Sequence, residues 1–141
     1  MSKDIGQQAA DAATLRRLFP YLRMYRGKTF VIKAGGGSLL TDTGARAFLE
    51  QVGTLRELGI RVIVVHGGGP QTTDLSERLG LPVRRVAGRR VTDEHTLEVS
   101  VMVLSGLIRS RLLAAGRALG LPTAGIAGVD AGLVRAEKRP P

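Results

Sequence analysis

The sequence predicts an α/β fold, a three-layer αβα sandwich around a mainly parallel sheet. Three observations carry this. Thr29 to Ala34 and Arg61 to His66 are apolar, β-branched runs that read as buried strands. Each runs directly into a glycine triplet, Gly35-Gly36-Gly37 and Gly67-Gly68-Gly69, with a helical pattern soon after. Strand and helix patterns then alternate along the chain, which is how parallel sheets with helices on both faces are built.

The elements follow in order. Residues 1–11 read as a frayed polar tail. From Ala12 to Tyr25, Leu15, Leu18, Phe19, Leu22 and Met24 space a short amphipathic helix, with Pro20 a kink or break and Gly27 a stop. After the first strand and its loop, Asp42 or Thr43 caps a helix to Leu58, its apolar face formed by Ala45, Phe48, Leu49, Val52 and Leu55. The second strand and loop lead to a short helix over Thr72 to Leu79, stopped by Gly80. Val83 to Val86 reads as a short strand. Thr92 or Asp93 caps a helix to Leu104, which continues or breaks near Ser105-Gly106, and a further helical stretch covers Leu107 to Leu119. Thr123 to Ile126 reads as a further strand, followed by a third glycine-containing loop at Gly128 to Gly132.

Composition narrows the function. At 141 residues one domain is expected. Aromatics are 4%, so the core must be Val, Ile, Leu and Ala. The absence of Cys excludes a disulfide scaffold and thiolate zinc sites, and it fits a cytoplasmic location. No run reaches the ~20 consecutive apolar residues of a membrane span, and the N-terminus lacks the apolar stretch of a signal peptide. The net charge of +9 invites a nucleic-acid reading, but a stacking platform of interleaved aromatics is missing. An electropositive cleft for an acidic ligand agrees better with the glycine loops, while most of the arginines read as solvated. Arg84, Arg85, Arg89 and Arg90 are the densest cluster.

Bare backbone at the carboxyl ends of neighbouring parallel strands suits an anion, because peptide N–H groups approach closely and the next helix adds its positive end. Neither loop is Gly-x4-Gly-Lys-[Ser/Thr]. Neither is Gly-x-Gly-x-x-Gly, since Leu40 and Thr72 hold the last position. Two tight turns in which glycine merely permits an awkward backbone are the alternative. His66 and His95 lack metal-ligand spacing and read as a packed strand-end residue and an exposed helix residue, so no metal site is expected. Asp93 and Asp130 read as cap and turn residues.

Ala12 to Ala136 resembles the N-terminal half of the amino-acid kinase family, in its acetylglutamate kinase branch. The residues carrying this are Val31-Ile32-Lys33-Ala34-Gly35-Gly36, Val65-His66-Gly67-Gly68-Gly69-Pro70-Gln71, Gly88-Arg89-Arg90-Val91-Thr92-Asp93, Thr96-Leu97-Glu98-Val99 with Met102-Val103-Leu104, and Gly128-Val129-Asp130-Ala131-Gly132-Leu133. The resemblance implies phosphorylation of the side-chain carboxylate of N-acetyl-L-glutamate by ATP with Mg2+, in arginine biosynthesis. It implies Lys33 as the lysine that neutralises the transferring phosphoryl group, and Gly35 and Gly36 as part of a phosphate cradle. Gly67, Gly68 and Gly69 become the loop that meets phosphate and substrate, and Arg90 the clamp on the substrate α-carboxylate. The segment 12–27 is similar to the extra N-terminal helix of arginine-sensitive members, implying a homo-oligomer (dimer or hexamer) and inhibition by arginine. The family's nucleotide-binding half has no counterpart here, so residues 28–141 correspond to an amino-acid-binding half within an incomplete sheet. The kinase-like domain of an N-acetylglutamate synthase and a non-catalytic acidic-ligand module are the alternative readings.

Overall fold

The computed structural model describes residues 2–35, 37–39 and 41–137. Its framework is one parallel pair, β1 (Thr29–Ala34) and β2 (Arg61–His66), in register from Thr29 opposite Arg61 to Ala34 opposite His66. Side chains alternate across it. Phe30, Ile32, Ala34, Val62, Val64 and His66 turn to the covered face, while Val31, Lys33, Ile63 and Val65 turn to an open one. Val31 is 67% exposed and Ile63 52%. Both strands are apolar on both faces, yet the described residues supply helices to one face only. The α/β class holds, and the sheet is incomplete.

The covering helices are α2 (Asp42–Glu57), α3 (Gly69–Arg78), α4 (Glu94–Val101) and α5 (Arg109–Ala118). Their shared core is Ala34, Leu39, Ala45, Val99, Val103 and Ile108, with Phe48, Val64, Leu75, Leu104 and Leu112 packed against it. Thr41 caps α2, one residue earlier than expected, because its hydroxyl accepts from Gly44 N at 3.0 Å.

Four elements differ from the sequence reading. Helix α1 (Ser2–Tyr25) already includes the segment expected to be a polar tail. Gln7, Gln8, Ala9, Ala10, Ala12 and Ala13 are good helix formers, and Gln7 Nε2 donates to Asp11 Oδ1 at 3.0 Å across one turn. Pro20 sits inside α1 without ending it. The missing N–H falls on an exposed stretch, where water can satisfy the freed carbonyl. Of the two alternatives at Ser105-Gly106 the helix continues, but as a π-helical segment, Met102–Ile108, which joins α4 to α5 and which the sequence did not mark. The wider turn absorbs Gly106 without opening the helix. Thr123 to Ile126 forms no ladder. It is tied to α5 by side chains instead, Arg109 Nη2 donating to Gly125 O at 2.6 Å.

The fourth difference positions the site. The short strand expected at 83–86 is one arm of a hairpin, β3 (Arg85–Val86) against β4 (Arg89–Arg90), antiparallel with Arg85 opposite Arg90. The two-residue turn has φ 48° at Ala87 and 76° at Gly88, the mirror-image turn that matches strand twist. Alanine in the first of these positions is unusual, so no turn signal was visible in the sequence.

The helical stretch Glu94–Ala118 is, by length and composition, apolar enough to cross a membrane, with an 18-residue window of mean hydropathy 1.4. Val99, Val103 and Ile108 along it are buried in the shared core, and Arg111 Nε pairs with Asp42 Oδ1 of α2 at 2.8 Å, so it reads as a core helix.

Asp93 caps α4, its Oδ1 accepting from Thr96 N at 2.8 Å. Hydrogen bonds from Thr96, with a smaller contribution from His95, hold its carboxyl below the ordinary carboxylate value. A depressed folded-state pKa stabilises above the unfolded pKa, and that stabilisation fades as pH falls through the folded one. Asp93→Ala is therefore expected to lower the melting temperature at neutral pH. The gap should close as the pH drops below the carboxylate range. A gap unchanged from neutral to acid pH in paired thermal melts would remove the charged cap.

Candidate anion site at the glycine loops

The two loops meet because their strands are neighbours. Ala34 and His66 end β1 and β2 side by side, and Gly67 N donates to Ala34 O at 3.3 Å across the gap. Gly35 and Gly67 therefore leave the sheet at one point. Lys33 stands one residue earlier, opposite Val65 and on the open face. Gly36 lies outside the described residues.

Gly68 is the N-cap of α3, Gly69 its first residue, and Pro70 sits in the first turn, where its missing N–H costs nothing. No side chain caps this helix. The loop carbonyls, by contrast, are held. Thr72 Oγ1 donates to Gly68 O at 2.9 Å, and Thr73 Oγ1 to Gly69 O at 3.1 Å. Carbonyl dipoles fixed along the helix leave first-turn N–H groups facing outward, the arrangement that attracts an anion.

Glycine serves two different ends here. None of Gly35, Gly37, Gly67, Gly68 and Gly69 has positive φ, so the awkward-backbone alternative does not account for them. A Cβ built on Gly35, Gly37, Gly67 or Gly69 would meet nothing within 4 Å, which leaves open space over the peptide. A Cβ on Gly68 would lie 2.6 Å from Ile108 Cδ1 and 2.7 Å from Leu104 Cδ2. Gly68 thus admits the π-helical segment to the loop. The others keep backbone bare.

Arg90 reaches the same loop from the hairpin. Its Nη2 donates to Gly69 O at 3.1 Å and to Thr73 Oγ1 at 2.5 Å. Its Nη1 is buried and has no hydrogen-bond partner among the described residues. Arg85 and Arg89 are exposed on the same hairpin, and Arg84 is exposed just before it. The fold thus brings Lys33, Gly35, Gly67, Gly68, Gly69 and Arg90 to one end of the sheet. Thr72 and Thr73 are the residues the sequence reading missed. Their signal was two hydroxyls in the first turn after a glycine loop. His66 is half-buried at the strand end with Nδ1 3.4 Å from Gly67 O, and His95 is exposed beside Glu98. Asp130 Oδ2 accepts from Ala127 N at 2.8 Å in a turn. Among the described residues no group of three or more His, Cys, Asp or Glu could hold a metal ion.

The chain is similar to known proteins over most of its length. An acetylglutamate kinase from Myxococcus xanthus (strain DK1622) is 47% identical over 129 residues, covering 92% of this chain and 42% of that protein. One from Sphingopyxis alaskensis (strain DSM 13593 / LMG 18877 / RB2256) is 46% identical over 129 residues, with 92% and 43% covered. The chain thus spans less than half the length of these curated relatives. Among solved structures, N-acetylglutamate synthase from Neisseria gonorrhoeae, complexed with coenzyme A and L-arginine, superposes with a TM-score of 0.64 at 32% identity, over 92% of this chain and 28% of that one. The model of the amino acid kinase family matches residues 28–140, a span that takes in both glycine loops and Arg90, and on that match the chain belongs to the amino acid kinase family.

Proposed function

We propose that this chain is the acyl-amino-acid-binding half of an acetylglutamate kinase, serving phosphorylation of the side-chain carboxylate of N-acetyl-L-glutamate in arginine biosynthesis in the cytoplasm. The observation that carries the reading is the convergence of the uncapped α3 N-terminus, bare Gly67 and Gly69, and Arg90 at one sheet end. Names and identities of the relatives support the same choice.

The roles follow from the chemistry. ATP, carrying Mg2+ on its own phosphates, would supply the phosphoryl group. The uncapped, open backbone at Gly67 to Gly69 fits such an anion, and Gly35 borders the same space. Lys33 would place a fixed cation beside the equatorial oxygens, where charge spreads during transfer. Arg90 would bind the α-carboxylate through Nη1, since its Nη2 is already committed to Gly69 and Thr73. The attacking side-chain carboxylate is ionised at neutral pH, so no general base is needed. Residues 12–27 would act as an oligomerisation element of a homo-oligomer that responds to arginine. All but the last two of them lie in α1, where Leu15, Leu18, Phe19 and Met24 are exposed.

The superposition on N-acetylglutamate synthase favours a second reading, the kinase-like domain of such an enzyme. Calorimetric titration of the chain with N-acetyl-L-glutamate tests the kinase reading, with the uncharged diamide of the same compound as control. Saturable binding of the diacid alone is expected. Equal or absent heats for the two compounds would overturn the kinase reading and favour the regulatory domain.

A further inference from the structure

We propose that Thr73 is a positioning residue for Arg90, holding the guanidinium against the carbonyl of Gly69 so that only one of its arms faces a ligand. The inference deepens the acidic-substrate reading and rests on it for its ligand arm alone.

Three hydrogen bonds close a triangle. Thr73 Oγ1 donates to Gly69 O at 3.1 Å, so the hydroxyl proton is spent on the carbonyl. Its lone pairs then face Arg90, whose Nη2 donates to it at 2.5 Å and to the same Gly69 O at 3.1 Å. Thr73 is thereby fixed as an acceptor toward Arg90, a role a hydroxyl free to rotate would not have. Both Nη2 protons have protein acceptors. Nη1 is buried and has no hydrogen-bond partner among the described residues, so an anion would reach it only as the neighbouring side chains give way. A buried charged donor left unpaired is costly, and a carboxylate bound there would relieve that cost.

The triangle also ties two elements that sequence separates. Gly69 and Thr73 stand one turn apart at the start of α3, and Arg90 belongs to β4. The hairpin and the residue before it carry four arginines within 84–90, and only Arg90 is half-buried among them. Thr73 therefore selects which arginine enters the site. It also couples substrate occupancy of Arg90 to the orientation of the Gly69 peptide, the unit that would face phosphate.

The test uses the 141-residue chain and three variants, Thr73→Val, Thr73→Ser and Arg90→Lys. Nitrogen-15 NMR of arginine side chains is read without ligand. A guanidinium held by two acceptors rotates slowly, so resolved Nη2 protons are expected in the wild type and in Thr73→Ser. They should be absent in Thr73→Val, and their loss in Arg90→Lys assigns them. Calorimetry with N-acetyl-L-glutamate is the second arm. Affinity is expected to fall about tenfold or more in Thr73→Val, the loss of one charged hydrogen bond, and to return within about twofold in Thr73→Ser. Resolved Nη2 protons surviving in folded Thr73→Val would overturn the positioning role, as would equal affinity of Thr73→Val and wild type. A wild type that holds the slow Nη2 protons but binds no N-acetyl-L-glutamate would support the positioning role and sink the substrate reading.

Discussion

Replacing Gly68 by alanine is expected to destabilise the chain by about 1–3 kcal/mol, the usual cost of forcing one more carbon into a packed core. The physical reason is local. The new Cβ would stand 2.6 Å from Ile108 Cδ1 and 2.7 Å from Leu104 Cδ2, and Ile108 is fully buried. Both groups belong to the π-helical segment, which runs on into α5 and contacts α3, and Ile108 has no exposed side to yield toward. Relaxation would have to shift the loop or that segment. The informative comparison is Gly69→Ala. Its Cβ meets nothing within 4 Å beyond its chain neighbours and its φ is not positive, though Pro70 next to it offsets alanine's helix preference. Stability there should stay within about 0.5 kcal/mol, the range of an ordinary surface change. If the bare peptide is where the anion sits, Gly69→Ala should still weaken ligand binding. Urea melts and calorimetry on the same two variants separate the effects. Equal stability of Gly68→Ala and Gly69→Ala would remove the packing argument for Gly68.

Arg90→Ala should abolish most of the affinity for an acidic acyl-amino acid, whereas Arg84→Ala should not. Hydrogen bonds to a charged partner contribute about 1.5–3 kcal/mol, which corresponds to a loss of roughly 10- to 150-fold. Arg90 is half-buried at the loop, with one arm fixed and the other unpartnered among the described residues. Arg84 is exposed, and a side chain in water contributes little to a bound charge beyond a screened field. Its substitution should change affinity less than about twofold, more at low ionic strength than at high. Arg90→Lys is the sharper probe of mechanism. A lysine keeps the positive charge but offers a compact ammonium in place of the fork, so it cannot hold Gly69, Thr73 and a ligand at once. Calorimetry showing equal affinity for wild type and Arg90→Ala would take this arginine out of the site.

Much of the local structure was legible from residue pattern. β1 and β2 occupy the residues the apolar, β-branched runs mark, because such runs suit little else when they end in glycine. The Asp93 cap was visible for a similar reason, since a carboxylate one residue before a helix has an orphan N–H within reach. Boundaries that depend on competition between neighbours were less legible. Nothing in Gln7 to Ala13 distinguishes a polar tail from a helix except propensity, and propensity prevailed. Thr123 to Ile126 looks like a strand, but a strand needs a partner edge, and this segment is fastened to α5 instead.

The chain alone determined the α/β class, the parallel pair, and the placing of bare backbone beside a lysine and an arginine cluster. These follow from periodicity and from residue types with few alternatives. The tertiary structure decided how Arg90, which the resemblance had already singled out, is held, and what each glycine is for. A mirror-image turn at Ala87-Gly88 delivers Arg90 to the first turn of α3, where Gly69 O and Thr73 Oγ1 hold it. Leu104 and Ile108 press on Gly68 while Gly67 and Gly69 stay open. Such distinctions are contacts between residues distant in sequence. Their energies depend on ångström-scale approach, which no local pattern encodes.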